Sequence, residues 1–165
     1  GGEFGLGKDA TLRILEAIIH NLPTYQIVAI SGKNKKMNQK FIDLVAETNS
    51  AQRVRVLEYT NKVPELMNIS TLVVTKPGGL TTSESLASDL PILVINPIPG
   101  QEEENARFLE LHNVAVWIKK EDDPNVIIQN LFNNPEKLEN MKKNAKLLAK
   151  KNSTKDICEK IMESI

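Results

Sequence analysis

The feature of this sequence that most constrains its fold is a regular alternation of short apolar runs with longer stretches of helical periodicity. The runs are nearly all apolar and rich in β-branched residues, which is typical of strands covered on both faces of a parallel sheet. Strands and helices that alternate in this way form βαβ units. The sequence therefore predicts an α/β domain built on one doubly wound parallel sheet. The predicted strands are residues 26–31, 54–59, 71–75, 92–96 and 114–118.

Helical patterns fill the stretches between these strands and continue after the last one. Two late helices have clear start signals, because Asp123 and Asn134 each precede a proline, and proline suits the first helical position. We expect Trp117, on a predicted strand, and Cys158, in the last helix, to be core residues. The earlier helices are predicted near residues 8–22, 36–48, 63–68, 82–88 and 103–112.

Composition is that of a single packed domain with no strong electrostatic partner. The chain has 165 residues, and its 21 Lys and Arg balance its 21 Asp and Glu, so we expect no nucleic-acid partner. The only cysteine, Cys158, excludes an internal disulfide and fits the reducing cytoplasm. A lysine-rich helical stretch at 137–151 is interpreted as a solvated face over a core stripe, with contact to an anionic membrane as the alternative.

Glycines and polar side chains collect in the loops that leave the predicted strands. In a doubly wound sheet the ligand lies outside the carboxyl ends of the strands, so these loops predict the position of a binding site. They are residues 1–7, 31–34, 58–61, 76–82 and 96–102.

The glycine-rich opening, residues 1–7, has the composition of a phosphate-binding loop before a helix. It looks like the loop after a first strand, which leads us to expect that the chain begins inside a larger protein, although a cloning remnant ending near Phe4 is the alternative. If the opening loop follows a first strand, residues 26–31 correspond to the second strand of a dinucleotide-binding domain. Such a domain would place an acidic residue at the end of that strand, where this chain has Gly32, Lys33 and Asn34. The Gly-Lys-Ser/Thr ending of a nucleotide-binding P-loop is also missing from the sequence.

A second glycine pair, Gly78 and Gly79, precedes a predicted helix that carries Glu84. A carboxylate near a helix start can accept two hydrogen bonds from a vicinal diol such as ribose. Glu84 could equally form a capping box with Thr81, and local physics alone favours that cap.

The loop at 96–105 opens the next predicted helix with Gln101 and Glu102. An amide and a carboxylate at these positions could bind the hydroxyls of a hexose. They could also simply stabilise the first helical turn, and the spacing leaves both interpretations open.

Taken together, Lys76-Pro-Gly-Gly-Leu-Thr-Thr-Ser-Glu84 and Asn96-Pro-Ile-Pro-Gly-Gln-Glu-Glu-Glu-Asn105 resemble the paired motifs of the processive diacylglycerol glucosyltransferases and the monogalactosyldiacylglycerol synthases. The likeness extends to residues 31–34 and to the opening loop, and is more distant to the N-acetylglucosaminyltransferase of peptidoglycan synthesis. These enzymes have the GT-B architecture of two Rossmann-like domains. The resemblance implies that this chain is the C-terminal half, which binds a UDP-sugar donor, while an N-terminal domain binds the lipid acceptor.

The resemblance also implies roles for individual residues, and it makes the ribose role of Glu84 the favoured one. Gln101 and Glu102 would contact the sugar, and the backbone of Thr60 would read the uracil edge. The implied nucleotide-sugar site comprises Gly2, Gly5, Gly32, Asn34, Tyr59, Thr60, Lys76, Gly78, Gly79, Leu80, Thr81, Glu84, Gln101, Glu102 and Asn105.

Enzymes of this kind invert the anomeric carbon with a general base that belongs to the acceptor domain. We therefore expect no catalytic residue, cofactor or metal site here, and no sugar transfer by the isolated domain. The resemblance implies UDP-glucose or UDP-galactose as the donor, and the expected location is the cytoplasm, peripheral to the inner face of the cell membrane. Alternatives are the donor half of a UDP-N-acetylglucosaminyltransferase or of a UDP-sugar epimerase, or a stand-alone nucleotide-binding subunit.

Overall fold

The structure, a computed structural model, describes residues 6–164 of the chain, with side chains from residue 10 onward. Within that range five strands alternate with five helices, and three further helices follow. Every observed strand lies inside a predicted one, so the predicted order of elements is confirmed. In chain order the elements are α1 (Leu6–Asn21), β1 (Ile27–Ile30), α2 (Lys35–Glu47), β2 (Val54–Leu57), α3 (Val63–Ile69), β3 (Val73–Thr75), α4 (Gly79–Ala87), β4 (Ile92–Ile95), α5 (Gln101–Leu111), β5 (Ala115–Ile118), α6 (Pro124–Phe132), α7 (Pro135–Leu148) and α8 (Ser153–Glu163).

All strand pairs are parallel, but the strands form two sheets rather than the predicted one. The first sheet pairs β1 with β2, and the second has the order β3-β4-β5. Among the residues described, β1 and β3 do not pair with each other. The predicted α/β class with parallel strands is thus confirmed, while the sheet is divided between β1 and β3.

The core is organised around β4, in which Ile92, Leu93 and Val94 have no exposed surface. Leu93 packs on one face with residues of α1 and α6, whereas Ile92 and Val94 pack on the opposite face with residues of α5. Successive residues of a strand point to opposite faces, so a strand covered on both sides must be apolar throughout. The continuous apolar run of β4 is explained by these two layers of helices.

Helix α1 lies across both sheets. Its residues Ile14 and Ala17 belong to the cluster around β4, while Leu15 and Ile19 pack with Ala29 of β1. Because the same helix covers β1 and β4, it holds the two sheets in one layer.

The end of α1 is tied to β2 by Arg53. One guanidinium nitrogen donates to the carbonyl of Leu22 at 3.0 Å and the other donates to the carbonyl of Ile19. These carbonyls belong to the last turn of α1 and the residue that follows it, where a cation also complements the helix dipole.

The outer edge of β5 is closed by side chains. The backbone N–H of Trp117 donates to the Glu110 carboxylate at 3.0 Å, and the amide of Asn144 donates to the carbonyl of Asn113 at 3.2 Å. Side chains that occupy a strand edge prevent another strand from pairing with it.

Two expectations about burial are wrong. Cys158 is exposed, since α8 has no buried residue. The side chains of Val28 and Ile30 are 44% and 40% exposed, so β1 is covered on one face only. Trp117 is partly buried and packs against the cluster around β4.

The two caps expected at the starts of the late helices are confirmed. Asp123 and Asn134 cap α6 and α7, accepting hydrogen bonds from the N–H groups of Asn125 and Lys137 at 2.9 and 3.0 Å. The lysine-rich face of α7 is solvated above a buried stripe that includes Met141. No helix in the described range has the length and apolar character needed to cross a membrane.

Candidate functional site

Because the strands within each sheet are parallel, the loops that follow them lie at the same edge of that sheet. These loops form two pairs, one for each sheet. The first loop pair consists of residues 31–34, after β1, and 58–61, after β2. The N–H of Gly32 donates to the carbonyl of Glu58 at 3.0 Å, and the hydroxyl of Ser31 donates to the carbonyl of Leu57 at 3.3 Å. The buried amide of Asn38, in α2, donates to the Ser31 hydroxyl at 3.1 Å and so holds the first loop pair on that helix.

The second loop pair consists of residues 76–78, after β3, and 96–100, after β4. The amide of Asn105 donates to the carbonyl of Pro77 at 2.8 Å, so α5 is tied to the segment that leads into α4. A methyl group added at Gly78 would lie 3.9 Å from a carboxylate oxygen of Glu102. The two sequence motifs, at 76–84 and 96–105, are therefore neighbours in space.

The start of α4 presents N–H groups that the helix does not use. Gly78 is the N-cap residue and provides no side-chain cap, and the first helical bond runs from the N–H of Thr82 to the carbonyl of Gly78 at 2.9 Å. The N–H groups of Gly79, Leu80 and Thr81 thus precede the hydrogen-bonded part of the helix. The space where a side chain of Gly79 would project is open to beyond 4 Å. Such a helix start is suited to an anion.

The neighbouring helix starts at this edge are already occupied. The side chain of Asn34 caps α2 by accepting from the N–H of Met37 at 3.0 Å. The first turn of α5 carries Glu102, Glu103 and Glu104, which would repel an anion. The first turn of α4 has no acidic residue, so of these three starts it is the one fitted to a phosphate.

The structure excludes the capping box between Thr81 and Glu84. Helix α4 begins at Gly79, which places Glu84 in the second turn, where it cannot serve the N-cap. Its carboxylate is exposed and makes no hydrogen bond or salt bridge within the described chain. At helical spacing Glu84 shares a face with Leu80 and Thr81, whose N–H groups lie in the open first turn.

Two buried polar atoms have no partner among the described residues, namely Thr82 Oγ1 in α4 and Asn96 Nδ2 after β4. A third buried atom, Asp89 Oδ1, has an ion pair with Lys151 at 2.8 Å. Asn96 follows β4 directly and has a left-handed backbone, with φ of 44°. Unpaired buried polar atoms are uncommon because each one costs free energy. The sequence prediction missed both residues as site candidates, although an asparagine that directly follows a buried strand was a signal for Asn96.

The remaining predicted site residues are placed as follows. Gly32 has a φ of 63°, in the left-handed region that favours glycine. Tyr59 is 71% exposed, and the hydroxyl of Thr60 accepts from the N–H of Lys62 at 3.1 Å. Lys76 is half-buried and Gln101 is the exposed first residue of α5, while Gly2 and Gly5 lie outside the described residues.

Two further residues of the predicted site, Glu102 and Asn105, have partners within the structure. One oxygen of Glu102 accepts from the N–H of Ile98 at 2.7 Å, which closes the loop after β4. The amide of Asn105 donates to the carbonyl of Pro77, so Asn105 positions the start of α4. Among residues 10–164 no three His, Cys, Asp or Glu side chains are grouped so that they could hold a metal ion.

Solved structures with the same arrangement define the class of fold as GT-B. MurG of Acinetobacter baumannii superposes with a TM-score of 0.72 and 18% identity, over 99% of this chain and 48% of that chain. HepE of Anabaena, solved in complex with UDP-glucose, superposes with a TM-score of 0.69 and 15% identity, over 99% of this chain and 47% of that chain. The predicted Rossmann-like domain of a GT-B glycosyltransferase is confirmed as the fold.

Residues 9–161 match the glycosyltransferase family 28 C-terminal domain, and the chain belongs to this family. It is similar to the processive diacylglycerol beta-glucosyltransferase of Bacillus pumilus, with 38% identity over 84% of this chain and 36% of the relative. The enzyme of the same name from Staphylococcus epidermidis is 37% identical over 99% of this chain and 41% of the relative. The chain thus spans about two fifths of the length of these relatives.

The tie between Asn105 and Pro77 yields a prediction about stability. In Asn105→Asp the donor becomes a carboxylate that faces a carbonyl oxygen, so the free energy of unfolding should fall by about 1 to 3 kcal/mol. Urea unfolding followed by circular dichroism measures the change. Glu104→Asp, on an exposed position of the same helix, should change it by less than about 0.5 kcal/mol. Equal stability of Asn105→Asp and the parent chain would show that the contact does not hold the two motifs together.

Proposed function

We propose that this chain is the donor-binding half of an inverting glycosyltransferase that transfers glucose from UDP-glucose to diacylglycerol. The observation that carries the proposal is the uncapped, non-acidic start of α4 beside the motif at 96–105. Relatives named diacylglycerol beta-glucosyltransferases support glucose as the sugar and diacylglycerol as the acceptor.

In this proposal the diphosphate binds at the start of α4. The N–H groups of Gly79, Leu80 and Thr81 converge on one anion, and the helix dipole adds to their attraction. The acceptor oxygen bonds to the anomeric carbon as the bond from that carbon to the phosphate oxygen of UDP breaks. The same N–H groups stabilise the negative charge that this leaves on UDP, which lowers the barrier to its departure. Thr82 and Asn96, whose buried polar atoms are unpaired, would gain partners from the ligand or from its bound water.

The nucleoside extends from α4 toward the first loop pair. Glu84 accepts hydrogen bonds from the ribose hydroxyls, a role supported by its exposed carboxylate without a partner in the described chain. The backbone of Thr60, beside Tyr59 and opposite Gly32, reads the uracil edge. Gln101 and the free oxygen of Glu102 contact the glucose, while Asn105 and Asn34 position the loops.

The general base and the lipid site are assigned to an N-terminal acceptor domain, and the chain alone is therefore proposed to transfer no sugar. No metal or other cofactor is proposed. Since the proposed acceptor is a membrane lipid, we propose that the whole protein lies in the cytoplasm, peripheral to the inner face of the membrane.

A calorimetric screen of sugar nucleotides tests the proposed donor. We expect UDP-glucose to bind at least about tenfold more tightly than UDP-N-acetylglucosamine, since a hexose site rejects an added acetamido group sterically. UDP-galactose, which differs at one hydroxyl, should bind more weakly than UDP-glucose. Preference for UDP-N-acetylglucosamine would assign the chain to an N-acetylglucosaminyltransferase. The absence of affinity for any UDP compound would overturn the proposal.

Gly79→Ala separates ligand binding from folding. The added methyl meets open space and an ordinary helical backbone, so stability should hold or rise by about 0.4 to 1 kcal/mol. The methyl enters the space proposed for the diphosphate, so affinity for UDP should fall by about tenfold or more. Leu80→Ala is the matched control, because it keeps the N–H and trims an exposed side chain. Unchanged UDP affinity in Gly79→Ala would show that the diphosphate does not bind at the start of α4.

Glu84→Ala tests the ribose contact. A charged hydrogen bond to a hydroxyl is worth about 1.5 to 3 kcal/mol, so UDP affinity should fall by roughly ten- to a hundredfold. Stability should change by less than about 0.5 kcal/mol, because the carboxylate is exposed and has no partner in the described chain.

The ligand provides the control for this substitution. Titrating UDP and 2′-deoxy-UDP into Glu84→Ala and the parent chain forms a double-mutant cycle. The parent should prefer UDP and the variant should lose most of that preference. Glu104→Ala, which removes the same charge from α5, should keep it. A coupling energy of zero between Glu84 and the 2′-hydroxyl would exclude the ribose role.

A further inference from the structure

Helix α2 carries its charges in the order opposite to the one that a helix dipole favours. Lys35 and Lys36 occupy its first turn, which has no acidic residue, and Glu47 is its last residue. Cations are unfavourable beside the partial positive charge of a helix N-terminus, and anions are unfavourable at the C-terminus. Helices α3, α5, α7 and α8, by contrast, each have an acidic side chain in the first turn. The two lysines therefore lower the stability of the helix that carries them.

Two further lysines lie on neighbouring segments. Lys33 is in the loop after β1, and Lys62 directly follows the loop after β2, which is joined to the first by the bond from Gly32 to Glu58. Among residues 31–36 and 58–62 the one carboxylate is that of Glu58. All four lysines are exposed, and within the described residues none of them forms a salt bridge. We call this surface the basic patch, and it comprises Lys33, Lys35, Lys36 and Lys62.

The lysines of α7 differ, because the fold itself accounts for them. Glu136 lies in the first turn of that helix and Lys146 in the last, which is the order that the dipole favours. Beyond the helix, Lys151 pairs with Asp89 at 2.8 Å. The positive charge that helix stability does not explain is thus concentrated at the basic patch, although the charges of the whole chain balance.

The basic patch suits an extended anionic surface better than a single small anion. The side chain of Asn34 already accepts from the N–H of Met37 at the start of α2, so that helix start is occupied. Clusters of four or more lysines bind bilayers of anionic lipid, because each charge within a Debye length of the surface adds to the attraction.

An exposed aromatic side chain adjoins the basic patch. Tyr59 is 71% exposed, and its side chain makes no ring contact or hydrogen bond within the described residues. Tyrosine is enriched where a membrane meets water, since its ring is apolar and its hydroxyl is polar. Charge and aromatic character therefore both fit a lipid surface.

We propose that the basic patch, with Tyr59 beside it, docks this chain on the anionic surface of a lipid bilayer. The patch borders the first loop pair, so docking holds that half of the candidate site beside the lipid. This inference rests on the proposed function for its purpose, which is to bring the donor site to a membrane acceptor. The contact with lipid itself requires no bound donor.

Cosedimentation with vesicles tests the docking. The chain should sediment with vesicles of phosphatidylglycerol and phosphatidylcholine in equal parts, and should stay in solution with phosphatidylcholine alone. The double variant Lys35→Gln/Lys36→Gln should bind the anionic vesicles about tenfold more weakly or worse, because each lysine at such a surface contributes roughly a factor of five. Its thermal midpoint should hold or rise, since two cations leave a helix start.

The matched control is Lys142→Gln/Lys146→Gln, which removes the same charge from the exposed face of α7. Its vesicle affinity should stay within about threefold of that of the parent chain, because charges outside the contact are screened by salt. An equal loss in both double variants would attribute binding to net charge and overturn the proposal. Unchanged vesicle binding by Lys35→Gln/Lys36→Gln would also overturn it.

Two further measurements separate this proposal from others. Release of the chain from the vesicles by inorganic phosphate at constant ionic strength would indicate a site for a small anion and overturn docking. Calorimetric titration with UDP-glucose, without vesicles, should give the same affinity for the parent chain and Lys35→Gln/Lys36→Gln. If the parent chain binds UDP-glucose but no anionic vesicle, docking alone is overturned. If it binds the vesicles but no UDP compound, the proposed function alone is overturned.

Discussion

The packing of α1 against both sheets is the interaction on which the rest of this structure depends. Ile14 and Ala17 face the cluster around β4, while Leu15 and Ile19 face β1. In the described chain no strand pairing joins β1 and β2 to β3, β4 and β5, so the two groups depend on this shared helix for their apolar contact. The bonds from Arg53 to the end of α1 add a polar tie to the same contact.

The relative position of the two sheets matters because each one supports half of the candidate site. The first loop pair is fixed internally by Ser31, Asn38 and the N–H of Gly32. The second is fixed by Asn105 and Glu102. Each half is thus rigid by its own hydrogen bonds, and the spacing between the halves is left to α1. The affinity for a ligand that contacts both halves would therefore depend on this spacing.

The parts of the fold that follow from local periodicity could be predicted from the sequence, and those set by tertiary context could not. All five strands and the caps at Asp123 and Asn134 were predictable, because apolar runs and capping chemistry are local. Whether α4 begins at Gly79 or after Thr81 could not be predicted, because two adjacent glycines fit a loop and a helix start equally well. That difference of three residues decides whether Glu84 can cap the helix. Cys158 and the exposed face of β1 were predicted as buried because an apolar residue reveals nothing of what covers it.

The unequal treatment of the strand edges has a consequence for association with other chains. The outer edge of β5 is closed by Glu110 and Asn144, whereas the inner edges of β1 and β3 pair with no strand of the described chain. An open strand edge presents N–H and C=O groups with which a strand of another chain can pair. The two side chains at β5 therefore protect that end of the second sheet against edge-to-edge association.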